Sequence, residues 1–269
     1  MNPLNVFEGF FYLFTFNFTE FVNFFNLVRI EITWVIFLIL CFSSILIFLR
    51  FFGKSGLYIY TVIAIIAGNI QVLKIVKFPF FSEPIALGTI LFASTFLCTD
   101  ILAEYYGPKS ARKNIILGFV GFLFMTIVML FTVAFQPLNS NLVGEEYSWA
   151  FEVQQNLLGI FMPFPIFFAA SMMAYLSSQF FDVWFFQKIS KITNSKYLWL
   201  RNNASTFTSA LIDNTIFSIF AWIIFNPNPE TLTTIIGFIF GTYLLRIFIA
   251  ILDTPFLYSA KFFILNHQK

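Results

Sequence analysis

Residues 92–113 read FASTFLCTDILAEYYGPKSARK, and the order of side-chain types in this stretch decides the kind of chain it belongs to. An apolar helix, entered near Pro84, runs down to Asp100 and Glu104, which sit one helical turn apart. Tyr105 and Tyr106 follow, aromatics of the kind that settle at a bilayer–water interface. Gly107 and Pro108 break the helix. Lys109, Arg112 and Lys113 come next, clustered cations of the sort that hold a loop on the cytoplasmic side. The stretch predicts a membrane-spanning helix, gives it a direction, and leaves two carboxylates in surroundings where charge is expensive.

Composition agrees. Of 269 residues, 59% are hydrophobic and only 10% charged, against about 25% charged in soluble chains. The apolar residues come in runs of about 18 or more, enough to cross a hydrocarbon core of about 30 Å as helices. Period-two alternation is absent, which argues against a membrane β-barrel. The fold class expected is all-α, a polytopic transmembrane helical bundle. A net charge of +2 implies no polyanionic partner. Cys41 and Cys98 fall inside apolar runs and read as small buried hydrophobes without disulfide or metal role. The one histidine, His267, stands near the C-terminus and leaves little material for histidine catalysis or zinc. Metallohydrolase, nucleophile-elbow and phosphate-loop patterns are missing, so no enzyme is expected.

In chain order, residues 1–32 are rich in Phe but interrupted by Glu8, Asn17, Glu20, Asn23 and Asn26, which predicts an interfacial helix rather than a span. Seven spans are expected near 33–52, 57–76, 84–103, 114–135, 159–181, 204–225 and 231–252, with an acidic loop over 136–156. Lys and Arg gather after the first, third and fifth spans (Arg50, Lys54; Lys109, Arg112, Lys113; Lys188, Lys191, Lys196, Arg201) and at the end (Lys261, Lys269). That pattern predicts the N-terminus outside, the C-terminus cytoplasmic, and a bacterial cytoplasmic (inner) membrane location. Lys74 and Lys77 are the exceptions.

Ionisable and amide groups inside such spans are functional candidates by default. In the sixth span Ser205, Ser209 and Asp213 are four residues apart on one face, with Asn214 beside them. Asp213 falls near the midplane and is the leading candidate. Arg246 lies deep in the seventh span, and Asp253 follows seven residues later; Arg246 serves equally as a structural bridge to Asp213 or Asp253. Gln179 and Asp182 share a face of the fifth span. Asn69, Gln71 and Lys74 lie in the second, where helix–helix hydrogen bonding is the plain alternative. Asp100 is deeper than Glu104, for which a bridge to loop cations is the simpler role.

Five blocks in order, GNIQVLKIV (68–76), LGTILFASTFLCTDILAEYYGPKSARK (87–113), ASMMAYLSSQFFDVWFF (170–186), LWLRNNASTFTSALIDNTIF (198–217) and YLLRIFIAILDTPFLY (243–258), resemble the queuosine precursor transporter family. The resemblance implies a six-helix transporter core over 57–269. Residues 1–32 are then a Phe-rich leader, and 33–56 an added N-terminal span with its loop. It also implies import of 7-deazaguanine precursors of queuosine: the cyano or aminomethyl bases, or queuine. The substrate-binding positions it carries over are Asn69, Gln71, Lys74, Asp100, Gln179, Asp182, Ser209, Asp213 and Asn214, with Glu104, Arg246 and Asp253 structural or coupling. A deazaguanine presents a ring N–H and an amine side by side, which one carboxylate accepts as a fork, and a carbonyl that needs a donor. Asp213 is expected at the fork, and Asn69, Gln71 or Lys74 at the carbonyl. The implied partners are that base and the lipid bilayer, with an ATPase module or a homo-oligomer left open and no nucleic acid or cofactor. The substrate-binding component of an energy-coupling-factor importer and a non-transporting structural membrane protein are the competing readings.

Overall fold

The computed structural model describes residues 6–79, 85–139, 144–162, 164–225 and 231–264. His267, Pro84 and Lys269 lie outside the described residues. Within them the chain is helical apart from a single two-residue hairpin and a short 3-10 turn.

Two short helices, α1 (Val6–Phe14) and α2 (Phe18–Leu27), come first. Asn17 caps α2 by accepting a hydrogen bond from the Glu20 amide at 3.3 Å. The pair is held by Phe10 against Phe25, ring centroids 6.0 Å apart, while Phe7, Phe11, Phe14 and Phe18 stay exposed. At 9 and 10 residues neither can cross a bilayer.

Next comes α3 (Ile30–Gln71), 42 residues long. It is not one rod. Gly53 sits at φ 59°, ψ −142°, backbone that residues with a Cβ avoid. The Phe48 and Tyr60 rings, which a straight helix would hold about 18 Å apart, lie 6.2 Å centroid to centroid. The chain therefore reverses at Gly53, and the two arms cover the stretches expected as the first two spans.

The second arm ends at Gln71, five residues before the expected boundary. The chain turns and forms β1 (Ile75–Val76), antiparallel to β2 (Ile85–Ala86), with Ile75 opposite Ala86. Leu87 donates its amide to the Lys74 carbonyl at 2.8 Å, closing the hairpin. Gly88 follows at φ 101°, where a Cβ would stand 2.7 Å from the Gly68 carbonyl oxygen. A helix cannot start upstream of that residue, so α4 (Thr89–Tyr105) begins later than the expected third span.

Every residue of α4 from Thr89 to Ala103 except Phe92 is buried, with α3, α5, α7 and α9 packed around it. Then α5 (Pro108–Ala134) starts on a proline at its first turn. Part of the expected acidic loop is helical instead: α6 (Ser148–Phe161) turns Leu157, Ile160 and Phe161 onto the core and leaves Glu152 outside. Last come α7 (Phe164–Ile192), α8 (Leu198–Ile219), a π-helical turn at Phe220–Ile224, and α9 (Leu232–Phe263), which continues through Pro255.

Among the described residues four helices are long and apolar enough to cross a membrane: α3, α5, α8 with its π turn, and α9. Polar side chains tie the bundle. Tyr60 and Ser94 hydroxyls meet at 2.8 Å, and Asn114 donates to Thr61 at 2.9 Å. Interhelical bonds of this kind contribute about 0.6 kcal/mol each in lipid.

Candidate functional site

A cavity of about 510 Å³ opens where the hairpin, the start of α4, α7, the end of α8 and α9 converge, a size that suits a small molecule. Its mouth is apolar, with Val72, Ile75 and Ile85 from the hairpin end and Phe92 from α4. One wall is aromatic. Trp222 packs with Phe167, Phe217 and Phe238 at centroid distances of 6.0, 6.5 and 5.8 Å. The π turn places it there: Phe225 donates its amide to the Phe220 carbonyl at 2.9 Å, one residue wider than an α turn. On α9, Gly237 and Gly241 stand one turn apart and also line the cavity.

The polar floor is short and specific. Asp213 accepts a hydrogen bond from the Ser178 hydroxyl at 2.9 Å on Oδ1, and its Oδ2 forms an ion pair with Nη1 of Arg246. Both residues are 8% exposed, and that small exposure opens into the cavity they line. Arg246 Nε and Nη1 meet no protein acceptor in hydrogen-bond geometry, so the guanidinium touches Asp213 by charge while keeping N–H groups to offer. Asn214 lines the cavity too, its amide 3.5 Å from the Ile239 carbonyl, a weak bond at that length. Tyr175 adds a buried hydroxyl without a protein partner. One apolar chamber thus presents carboxylate, guanidinium and amide together.

Of the residues singled out in the sequence, Asp213, Asn214 and Arg246 line this chamber. The rest are placed elsewhere. Asn69 donates back to the Ile65 carbonyl at 2.8 Å, and Lys74 is exposed in the turn before β1; neither they nor Gln71 reach the cavity lining. Gln179 ties α7 to α4, donating to Thr95 at 2.9 Å and accepting from Thr99 at 2.8 Å. Ser209 donates to Asp182 at 2.9 Å. Asp100 faces Asp182 and Thr206, and Asn202 donates to Asp253 at 2.8 Å. Glu104 pairs with Arg201 at 2.5 Å, where Arg201 also holds the Ser195 carbonyl at 3.0 Å. Of the two bridges open to Arg246, the one to Asp213 forms.

Sequence reasoning passed over Tyr175, Ser178 and Trp222. Tyr175 had a signal: with Gln179 and Asp182 it repeats at i, i+4, i+7, one face of α7. Among the described residues no group of three His, Cys, Asp or Glu side chains could hold a metal ion.

Comparison with known proteins bears on this arrangement. A family described as "Putative vitamin uptake transporter" matches residues 86–260, which span α4 to α9 and all the polar groups of the floor. The chain is also similar to a Bacillus subtilis (strain 168) protein named "Probable queuosine precursor transporter". Identity is 34% over 237 residues, covering 88% of this chain and 96% of the relative. No solved structure matches the chain.

Proposed function

The chain belongs to the putative vitamin uptake transporter family and is a multi-pass membrane transporter, and we propose that it imports a 7-deazaguanine precursor of queuosine, held in the Asp213–Arg246 cavity. The similar Bacillus subtilis protein supplies the substrate class through its name. Support from this chain is the Asp213–Arg246 pair itself, an acceptor and a donor side by side at the floor of an apolar, aromatic chamber.

A deazaguanine edge runs carbonyl, ring N–H, amine. Asp213 keeps lone pairs beyond those used by Ser178 and Arg246, and takes the N–H and amine as a fork. Arg246, with its unused N–H groups, and Asn214 serve the carbonyl, in place of the Asn69, Gln71 or Lys74 expected from the sequence. Trp222 offers the face on which the bicyclic ring stacks. Residues before Val72 contribute nothing to the lining, so neither the leader nor either arm of α3 forms part of the cavity wall.

The experiment is queuosine content of tRNA in a bacterium lacking both precursor synthesis and its own importer, complemented with this chain. Each precursor is fed separately at low concentration. Modification should return with one of them and be lost in Asp213→Asn. Losing a charged hydrogen bond worth about 1.5–3 kcal/mol weakens binding by about ten- to a hundredfold. Wild-type uptake in Asp213→Asn would remove Asp213 from the site.

A further inference from the structure

Below the cavity floor lies a second buried polar layer, away from the cavity lining where the sequence analysis expected Asp100 and Asp182. Asp100 from α4, Asp182 from α7 and Asp253 from α9 are all essentially inaccessible, at 0%, 0% and 1% exposure. Hydroxyl and amide groups face them: Ser209 and Ser205 at Asp182, Thr206 at Asp100, Asn202 at Asp253. Both Asp100 oxygens, Asp182 Oδ2 and Asp253 Oδ2 accept no hydrogen bond from a protein donor. Thr206 Oγ1 and Asn202 Oδ1, in buried residues directed into the same layer, are also without partners.

The charge balance is uneven. The charged groups on the helices that enclose the layer are Asp100 and Glu104 from α4, Asp182, Lys188 and Lys191 from α7, Arg201 and Asp213 from α8, and Arg246, Asp253 and Lys261 from α9, the three lysines being exposed at the helix ends. Arg201 is taken by Glu104 and Arg246 by Asp213. No Lys or Arg acts on any of the three remaining carboxylates. A single uncompensated buried ion costs several kcal/mol, and three together repel one another as well. Positive charge has to reside among them for the bundle to hold this shape. The described residues lack the three-acid cluster that a multivalent metal would take, so the charge that fits is a single one, shared by an acid pair and its hydroxyls.

We propose that Asp100 and Asp182, with Thr206 and Ser209, form the coupling-cation site of the transporter, binding a proton or Na⁺ whose gradient drives uptake. The proposal rests on the transport reading. Its link to the substrate is built into two helices. Ser178 of α7 donates to Asp213 of α8, and Ser209 of α8 donates to Asp182 of α7. The two bonds run in opposite directions, one helical turn apart on each helix. Filling the lower site pulls on the same α7–α8 clasp that positions Asp213, and two ligands that bias one element are coupled reciprocally.

The test uses purified full-length protein and needs no substrate for its first arms. Thermal unfolding is measured at constant ionic strength with Na⁺ exchanged for choline. Infrared absorption is searched for a protonated carboxyl stretch that shifts in D₂O. A Na⁺-dependent rise in melting temperature that is absent in Asp182→Asn supports sodium. A protonated carboxyl band lost in Asp100→Asn or Asp182→Asn supports the proton. If neither appears, the proposal is overturned. Should the Asn variants fail to fold, Thr206→Val and Ser209→Ala keep the acids and must shift whichever signal is present; an unmoved signal also overturns it. In proteoliposomes, accumulation driven by the matching gradient should fall about tenfold or more in Asp182→Asn, within the usual range of coupling energies. Positive binding arms with no uptake of any deazaguanine would leave the cation site standing and sink the substrate reading alone.

Discussion

Asp213 is half of an ion pair and, in the proposed function, a ligand group, and the two roles separate by mutation. Removing one partner of a buried pair costs about 3–5 kcal/mol because the other charge is left uncompensated. Arg246→Gln alone should therefore lower the melting temperature markedly, stranding the Asp213 carboxylate against Ser178. The double variant Asp213→Asn with Arg246→Gln removes both charges and should recover most of that stability while uptake stays lost. A non-additive melting temperature is the check; an additive double variant would mean that the pair contributes no stability. The sequence exposed Asp213, Asn214 and Arg246 because a charge or amide inside an apolar run stands out against its neighbours. It could not expose Trp222. In a chain with 43 Phe, 10 Tyr and 5 Trp, an aromatic residue carries almost no contrast, and its value depends on which way its helix turns. Asn69 and Lys74 misled for the opposite reason. They stand out by type, yet one satisfies itself on its own carbonyl ladder and the other sits past the end of the helix.

Elements were legible where hydrophobic length decided them and illegible where a backbone conformation did. Both arms of α3 follow from apolar runs on either side of Gly53. The early end of the second arm does not, since Val72 to Val76 is as apolar as the helix before it. There the hairpin and Gly88 decide, through a pairing across residues distant in sequence. Nor does apolar content reveal that α6 folds, because its inward face is set by α5 and α7 behind it. Gly53 gives a direct test of the helical hairpin. Its φ and ψ of 59° and −142° lie where residues with a Cβ carry about 1–3 kcal/mol of strain. Gly53→Ala should lower the melting temperature by a corresponding amount and loosen the Phe48–Tyr60 contact. Gly121→Ala would not serve as a neutral comparison, since its Cβ would meet Val62 at 2.7 Å; Gly159→Ala, with nothing within 4 Å, is the control. Equal stability of Gly53→Ala and wild type would mean that the two arms are joined differently.

Over the whole molecule, the positive charges collect at one end of the bundle. Lys113 reaches over the Tyr58 ring just past the α3 bend, 5.8 Å from its centroid, which puts the start of α5 beside that bend. The Glu104–Arg201 pair joins the end of α4 to the start of α8, and Arg201 holds the loop carbonyl of Ser195. Arg50, Lys54, Lys109, Arg112, Lys113, Lys188, Lys191 and Lys196 therefore cluster around a single pole. The cavity, the hairpin and the Trp222 turn lie toward the other pole, where the exceptions are Lys74, Lys77 and Arg29, the last paired with Glu31 at the start of α3. The positive-inside rule predicts that a bundle with this asymmetry inserts with its cationic pole in the cytoplasm. On that prediction the chamber faces outward, as the proposed import requires, with the Asp100–Asp182 layer and the Glu104–Arg201 pair between it and the cell interior. Single cysteines read this orientation directly, because Cys41 and Cys98 are both buried. Ser148→Cys, exposed at the start of α6, should react with an impermeant maleimide on intact cells, whereas Lys109→Cys, exposed at the opposite pole, should react only after the membrane is opened. The reverse labelling would turn the molecule over. The cavity would then open to the cytoplasm, and the chain would be either caught facing inward or built to move its substrate the other way.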